Sequence, residues 1–188
     1  PVVEALPGLA ALADDLSRFA ALPAGTREQP MPRDAILRRV INANRRLGSL
    51  TAELRLVAMI ANAQLPETIR AEALTAFNDW TKLDGKDRVT GLWRPLSPRS
   101  EPDFQRYQPV LERVLANPAP PRVQLALLNT ATRWGWHELG AAAFTVFQNE
   151  KTPASVRVAD LEFFGAGNSP RLKQDHKLAT GTAAEKCR

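Results

Sequence analysis

Two stretches of the chain repeat one pattern: residues 66–80 read PETIRAEALTAFNDW, and residues 120–134 read PPRVQLALLNTATRW. Apolar residues stand 3, 7, 8, 11 and 14 positions after the leading proline in both copies. This spacing forms one face of an α-helix, and proline is typical of a helix start. A weaker third copy, PASVRVADLEFFGAG, covers residues 153–167, with Asp160 and Gly167 at the seventh and fourteenth positions. The repeat therefore predicts a chain built from recurring amphipathic helices.

Helical periodicity also extends beyond the repeat. Further helices are predicted over residues 8–21, 32–47, about 50–61, 104–117, 137–148 and 170–186. Gly48 is placed as a helix stop, and Ser49 or Thr51 as the N-cap of the helix that follows. Apolar and polar residues almost never alternate with a period of two, and only residues 89–92 would allow a short extended segment. The sequence therefore predicts an all-α fold.

The spacing of the prolines predicts how the helices are arranged. Pro32 precedes Pro66 by 34 residues, and Pro120 precedes Pro153 by 33 residues. Helix pairs that recur at this spacing are typical of an α-solenoid, in which each pair stacks on its neighbours. We expect one solenoid over residues 1–188, with about four to five helical pairs. The tryptophans at the fourteenth position would end the buried face. An irregular helical bundle with coincidental similarity is the alternative.

The pairs are similar to HEAT repeats, in which a proline begins one helix and a basic residue follows a few positions later. Pro66 with Arg70 and Pro153 with Arg157 fit this pattern, whereas Gln124 replaces the arginine in the second copy. The sequence signatures of tetratricopeptide and ankyrin repeats are absent. A HEAT-like solenoid is therefore the predicted architecture.

One segment interrupts the helical pattern. Pro120 lies 54 residues after Pro66, which is 21 residues more than the 33 that separate the next pair of prolines. Residues 84–103 contain two glycines and three prolines, a density that a helix cannot tolerate. We interpret this segment, here called the inserted loop, as an insertion between the paired helices of one repeat.

The inserted loop carries the candidate functional residues. Loops on rigid scaffolds often carry function, and an aromatic residue among arginines is typical of a partner contact. The possible contact residues are Asp87, Arg88, Trp93 and Arg94. The alternative is structural: Trp93 would pack into a groove of the solenoid, and the arginines would cap helix C-termini.

The composition offers no catalytic or metal-binding constellation. Cys187 is the one cysteine, so Cys-cluster metal sites and an internal disulfide framework are excluded. His137 and His176 have no evident partners and are expected in surface or capping roles. No catalytic, cofactor-binding or metal-ligating residue is therefore predicted in this chain. No run of about 18 apolar residues occurs, so we predict no membrane span.

Nucleic-acid binding is the hypothesis from a second functional class. The net charge is +5, from 25 basic and 20 acidic side chains, which is modest for this length. Under this hypothesis a basic strip on the N-terminal helices binds the phosphates, and its members are Arg38, Arg39, Arg45, Arg46 and Arg55. Some HEAT-repeat proteins, among them alkylpurine DNA glycosylases, hold DNA against such a strip. The competing interpretation is a solvated face with interleaved glutamates.

Residues 87–96, DRVTGLWRPL, give a narrower resemblance. With residues 39–44, RVINAN, this segment is similar to the HEAT-repeat region of large multidomain bacterial proteins of the membrane-bound dehydrogenase type, common in planctomycetes. The resemblance covers roughly residues 33–170. In that family a β-propeller precedes the HEAT repeats, and a c-type cytochrome or copper-type domain follows. This chain has neither a propeller sequence nor a Cys-x-x-Cys-His motif, so dehydrogenase activity and haem attachment are not carried over to it.

The resemblance implies a functional setting. The chain, which begins at Pro1 rather than Met, would be the middle of a longer periplasmic or exported redox protein, with haem c elsewhere in the parent. It would act as a non-catalytic scaffold, without its own cofactor, that contacts neighbouring domains or another protein. A cytoplasmic location is the alternative. The alternative function is a stand-alone nucleic-acid-binding protein or a DNA glycosylase-like enzyme.

Overall fold

The computed structural model describes residues 5–20, 32–82, 84–116 and 119–167, and within these ranges the protein is all-helical, without β-strands. The helices are α1 (Leu6–Ala11), α2 (Ser17–Ala20), α3 (Pro32–Leu47), α4 (Leu50–Ala61), α5 (Glu67–Asn78), α6 (Phe104–Ala116), α7 (Pro121–Trp134), α8 (Gly140–Gln148) and α9 (Ala154–Gly167). Short 3-10 helices cover Leu12–Asp14 and His137–Leu139. The all-α prediction is confirmed. The helix predicted over residues 170–186, with His176 and Cys187, lies outside the described residues.

The helices lie in two rows. In the first row α1, α3, α5, α7 and α9 contact one another in succession, and in the second row α4 contacts α6 and α6 contacts α8. Contacts of α3 with α4, α4 with α5, α6 with α7 and α8 with α9 join the rows. The helices that begin after Pro66, Pro120 and Pro153 all belong to the first row. The repeated sequence therefore occupies equivalent places in the molecule.

The apolar positions of the first two copies form the core between these helices. All of the following are buried: Ile69, Ala73, Leu74, Phe77, Trp80, Val123, Leu127, Leu128 and Ala131. Trp134, in contrast, is only half-buried, and Gly135 turns the chain directly after it with a φ of +66°. Trp136 is buried instead, with its ring centroid 6.0 Å from that of Phe77. Trp80 thus ends the buried face of α5 as predicted, and Trp134 ends that of α7 as a partly buried side chain packed against the core.

The boundaries of α3 and α4 follow the sequence prediction. Helix α3 begins at Pro32 and ends at Leu47, and Gly48 follows with a φ of +62°. The Ser49 hydroxyl accepts a hydrogen bond of 3.2 Å from the backbone N–H of Ala52, which makes Ser49 the N-cap of α4. The sequence therefore correctly identifies Gly48 as the stop of α3 and Ser49 as the N-cap of α4.

The N-terminal helix differs from its prediction. A single helix over residues 8–21 is predicted, but α1 ends at Ala11, continues as a 3-10 helix and breaks at Asp15. The Asp15 carboxylate accepts a hydrogen bond of 2.5 Å from the hydroxyl of Ser17, where α2 begins. Short polar side chains that bond locally compete with helix continuation. The spacing of apolar residues carries no information about such local hydrogen bonds, so it does not predict the break at Asp15.

Candidate functional site

Arg45 of α3 holds the start of the inserted loop. Arg45 is 1% exposed, and its Nη2 donates to the backbone oxygens of Asp79 and Lys82 and to Oδ2 of Asp84, at 3.3, 3.0 and 2.9 Å. Burial lowers the pKa of Arg45, and the positive charge of Arg88 lowers it further. One buried guanidinium thus satisfies carbonyl groups at the end of α5 and fixes the direction in which the loop leaves that helix.

Asp87 anchors the middle of the inserted loop. Its Oδ1 accepts hydrogen bonds from the backbone N–H groups of Val89 and Thr90, at 2.9 and 3.0 Å, and from Nδ2 of Asn42 at 3.2 Å. Its Oδ2 lies 3.2 Å from Nε of Arg46. Burial opposes ionisation of Asp87, but these hydrogen bonds and the Arg46 charge outweigh it, so the pKa of Asp87 is lowered. The carboxylate therefore fastens the loop to α3.

The loop also folds back on itself as a tight hairpin. The N–H of Arg94 donates to the carbonyl oxygen of Gly85 at 2.6 Å, beside an isolated antiparallel bridge. Residues 88–90 form a turn. The extended segment predicted over residues 89–92 is therefore wrong, because the Asp87 carboxylate draws the backbone into that turn.

Asp79, at the end of α5, gathers three cations. Nζ of Lys82 lies 2.7 Å, Nη2 of Arg88 2.6 Å and Nη1 of Arg133 3.5 Å from its carboxylate oxygens. Burial opposes ionisation of Asp79, but the hydrogen bonds from Lys82 and Arg88 outweigh it and lower its pKa. The contacts join α5, the inserted loop and α7, in a region where positive charge exceeds negative charge.

Arg99 closes the far end of the loop over α3. Its guanidinium lies 4.7 Å from the ring centroid of Trp80, and its Nη1 donates to the backbone oxygen of Arg45. Gly48 lies so close to Arg99 that a Cβ there would come within 2.6 Å of its Cζ. The loop is therefore tied to the first row of helices at its start, its middle and its end.

The tip of the loop, defined here as Leu92 and Trp93, faces solvent. Trp93 is 74% exposed and Leu92 is 52% exposed. The Trp93 ring packs on Gly85, where an added Cβ would lie only 2.2 Å from two of the ring carbons. Glycine at position 85 thus permits the close approach that positions the indole. A rigid base with an exposed aromatic tip can serve as a contact surface.

A cavity of about 270 Å³ lies between α3 and α5, beside the loop. Its lining contains four arginines, one glutamate and several small or aliphatic side chains. The lining residues are Ala35, Arg38, Arg39, Ile41, Asn42, Arg45, Glu72, Ala76, Arg88 and Val89. A second groove of about 400 Å³ lies between α5 and α7 and includes Arg122.

The structure places the four predicted contact residues differently from one another. Trp93 is exposed, as a contact residue requires, and the alternative in which it packs into a groove does not hold. Asp87 is 4% exposed, and Arg88 forms ion pairs with Asp79 and Asp84. The backbone of Arg94 is held within the loop. Not all four predicted contact residues therefore face a partner. The buried Asp87 carboxylate binds the loop backbone and α3 instead.

Sequence reasoning missed the α3 residues that hold the loop. The sequence assigns Arg45 and Arg46 to a basic strip, but Arg45 is buried and Arg46 donates to the backbone oxygen of Arg94 at 2.9 Å. The signal that could have found them is the pair of adjacent arginines in a chain whose loop carries Asp84 and Asp87. Acidic groups that become buried need cationic partners.

The predicted basic strip does not form a continuous surface. Arg38 pairs with Glu72 at 3.0 Å, and Arg55 pairs with Asp14 at 2.6 Å. Arg45 is buried and Arg46 pairs with Asp87. Most of the arginines that would have to contact DNA phosphates therefore form ion pairs with acidic residues of the chain or are buried beneath the inserted loop.

His137 is exposed at the start of its 3-10 helix. In the described part of the chain, no group of three or more His, Cys, Asp or Glu side chains is arranged to hold a metal ion. None of the helices seen there has the length and apolar character needed to cross a membrane.

Comparison of the chain with models of known protein families, with curated proteins and with solved structures found no match.

Proposed function

We propose that this chain is a non-catalytic, HEAT-like helical-repeat scaffold whose inserted loop contacts a neighbouring domain or another protein. The observation that carries the proposal is the exposed indole of Trp93 on a loop fastened by buried charged groups. Tryptophan is enriched among the residues that dominate binding energy at protein interfaces. A prearranged tip also loses little conformational freedom on binding. These two properties favour a contact role for the loop.

The arrangement of the helices supports the scaffold part of the proposal. Successive helices of the first row pair with helices of the second row, as stacked repeats do. The long connection lies between α5 and α6, and the second-row helix on which α5 packs is α4. A HEAT-like solenoid accounts for both the sequence period and this order of contacts.

The setting of the scaffold is proposed from sequence alone. The resemblance carried by residues 87–96 favours a periplasmic or exported redox protein, with this chain between a propeller and an electron-transfer domain. Under this proposal the chain carries no cofactor of its own, and haem c belongs to another part of the parent. The loop tip would then contact one of those neighbours.

The alternative, binding of nucleic acid or DNA glycosylase-like chemistry, has less support. Phosphate contacts need cations free of internal partners, and most arginines of the predicted strip have such partners. Titration of a labelled DNA duplex at about 50 mM salt, where phosphate-driven binding is strong, separates the proposals. The scaffold predicts no complex, whereas a complex that weakens steeply with added salt favours the alternative.

The contact role is tested by radical footprinting of tryptophan. Trp93 should be oxidised readily in the 188-residue chain and protected in the complete product of the reading frame that encodes it. Trp134, which is half-buried and lies in α7, serves as the internal control. Equal oxidation of Trp93 in both forms would contradict contact with a neighbouring domain. A reading frame with neither a propeller upstream nor Cys-x-x-Cys-His downstream would overturn the redox setting.

A further inference from the structure

We propose that the cavity between α3 and α5 binds a carboxylate carried on a short aliphatic stem. The cavity is distinct from the loop tip, and the inference does not depend on the proposed contact of Trp93. It rests on the charge of the lining and on the apolar character of the remaining surface.

The charge of the lining favours an anion. Arg38 is paired with Glu72, and both Arg45 and Arg88 contact Asp84. Arg39 lines the same cavity, is exposed, and forms no ion pair within the described residues. An incoming carboxylate would therefore meet an uncompensated guanidinium, whose planar donors match the two oxygens of a carboxylate.

The nearby network adds to this attraction. Lys82, Arg88 and Arg133 share the carboxylate of Asp79. The positive charge of Arg88 also opposes ionisation of Arg45, since both guanidinium groups lie close together. A negative charge in the cavity would relieve this repulsion between cations that line it.

The rest of the lining favours an aliphatic stem over a compact inorganic anion. Ala35, Ile41, Ala76 and Val89 contribute small or aliphatic side chains. The volume of about 270 Å³ is slightly below the range of roughly 300–1,000 Å³ typical of small-molecule sites. The cavity therefore suits a group of a few carbon atoms with one charged end.

Isothermal titration with two matched probes tests the proposal. N-acetylglutamate amide carries the stem, the carboxylate and the amide N–H groups, and N-acetylglutamine amide has an uncharged carboxamide of similar size in place of the carboxylate. We expect the acidic probe to bind at least about tenfold more tightly, because charge-assisted hydrogen bonds are roughly twice as strong as neutral ones. Equal binding of the two probes, or tighter binding of inorganic phosphate, would overturn the proposal.

Two variants locate the binding. Arg39→Gln removes the uncompensated charge and should weaken the acidic probe about tenfold, whereas Arg122→Gln, on exposed α7 surface in the neighbouring groove, should leave it unchanged. Ala35→Leu, at an exposed position of the lining, should block the cavity without disturbing the core. Unaltered binding by both Arg39→Gln and Ala35→Leu would contradict the assignment to this cavity.

A third probe distinguishes a free organic acid from an acidic peptide side chain as the ligand. Glutarate has the stem and carboxylate but no amide N–H. Binding of glutarate as tight as that of the acidic amide probe would identify free organic acids as the ligand class. Weaker binding of glutarate would identify an acidic peptide side chain as the ligand class. Both results support the carboxylate site, whereas failure of both glutarate and the acidic amide probe to bind would contradict it.

Discussion

At the scale of single residues, Asp160 departs from the repeat. It occupies the seventh position of the third copy, where the first two copies have Ala73 and Leu127. Asp160 is 0% exposed, and neither of its carboxylate oxygens has a hydrogen-bond partner. Burial raises the pKa of Asp160 from 3.8 to about 6. A carboxylate that replaces an apolar core residue thus destabilises the fold when it ionises.

Replacing Asp160 with asparagine tests this effect. Because the pKa is higher in the folded chain, the favourable contribution of the protonated group is fully present below pH 3.8 and is lost as the pH rises through about 6. Asp160→Asn should therefore raise the free energy of unfolding by roughly 1–3 kcal/mol at pH 8, with little gain at pH 4. Denaturant unfolding at both values measures the difference.

Glu162→Gln is the matched control for Asp160→Asn, since Glu162 lies on the same helix and is exposed. It should change stability by less than about 0.5 kcal/mol at either pH. A gain from Asp160→Asn that is the same at pH 4 and pH 8 would show that ionisation is not its cause.

At the scale of elements, the connection between α3 and α4 also sets the position of the inserted loop. Gly48 ends α3 in the left-handed region, with a φ of +62°. Its open side is occupied by the guanidinium of Arg99, which lies over Trp80 and donates to the backbone of Arg45. The turn between two helices therefore also receives the end of the loop.

Gly48→Ala tests this double role against Gly135→Ala. Gly135 ends α7 with a similar φ of +66°, but an added Cβ there would meet nothing nearer than 3.6 Å. Gly135→Ala should cost about 1–2 kcal/mol of stability through the left-handed backbone alone. Gly48→Ala should cost roughly 1–2 kcal/mol more, because Arg99 must leave both of its partners. Equal losses in thermal or denaturant unfolding would show that Arg99 is not held there.

The helices were largely predictable from the sequence, and the loop network was not. Periodicity, Pro32 and Gly48 locate α3 because each acts on its own neighbourhood in the chain. The partners of Arg45 lie 34 to 39 residues away, so no local pattern specifies them. Trp93 is exposed, and the sequence predicted it as a contact residue. The burial of Asp87 could not be predicted in the same way, because it depends on the position of α3 in the folded chain.

At the scale of the whole molecule, the third copy of the repeat has an apolar face that no other described residue covers fully. The eighth position is fully buried in the first two copies, at Leu74 and Leu128, but Leu161 in the third copy is 56% exposed. Val158 on the same helix is also exposed. The same sequence position thus has different surroundings, because within the described residues no later helix packs on α9 as α7 packs on α5.

A pair of alanine substitutions measures this difference. Leu128→Ala should lower the free energy of unfolding by about 2–5 kcal/mol, because it leaves a cavity in the core. Leu161→Ala, at the same position of the repeat, should cost less than about 1 kcal/mol in the 188-residue chain. Similar losses at both positions would mean that Leu161 is packed against other parts of the chain.

The central claim is that the inserted loop has one ordered conformation, which charged side chains of α3 stabilise, and is not a flexible connection. Amide hydrogen exchange of the 188-residue chain, resolved residue by residue by NMR, tests it most directly. The N–H groups of Val89, Thr90 and Arg94 are hydrogen-bonded within the loop. We predict that they exchange at least about 100-fold more slowly than in an unstructured peptide. Exchange at the unstructured rate, while the amides of α3 and α5 stay protected, would contradict the claim.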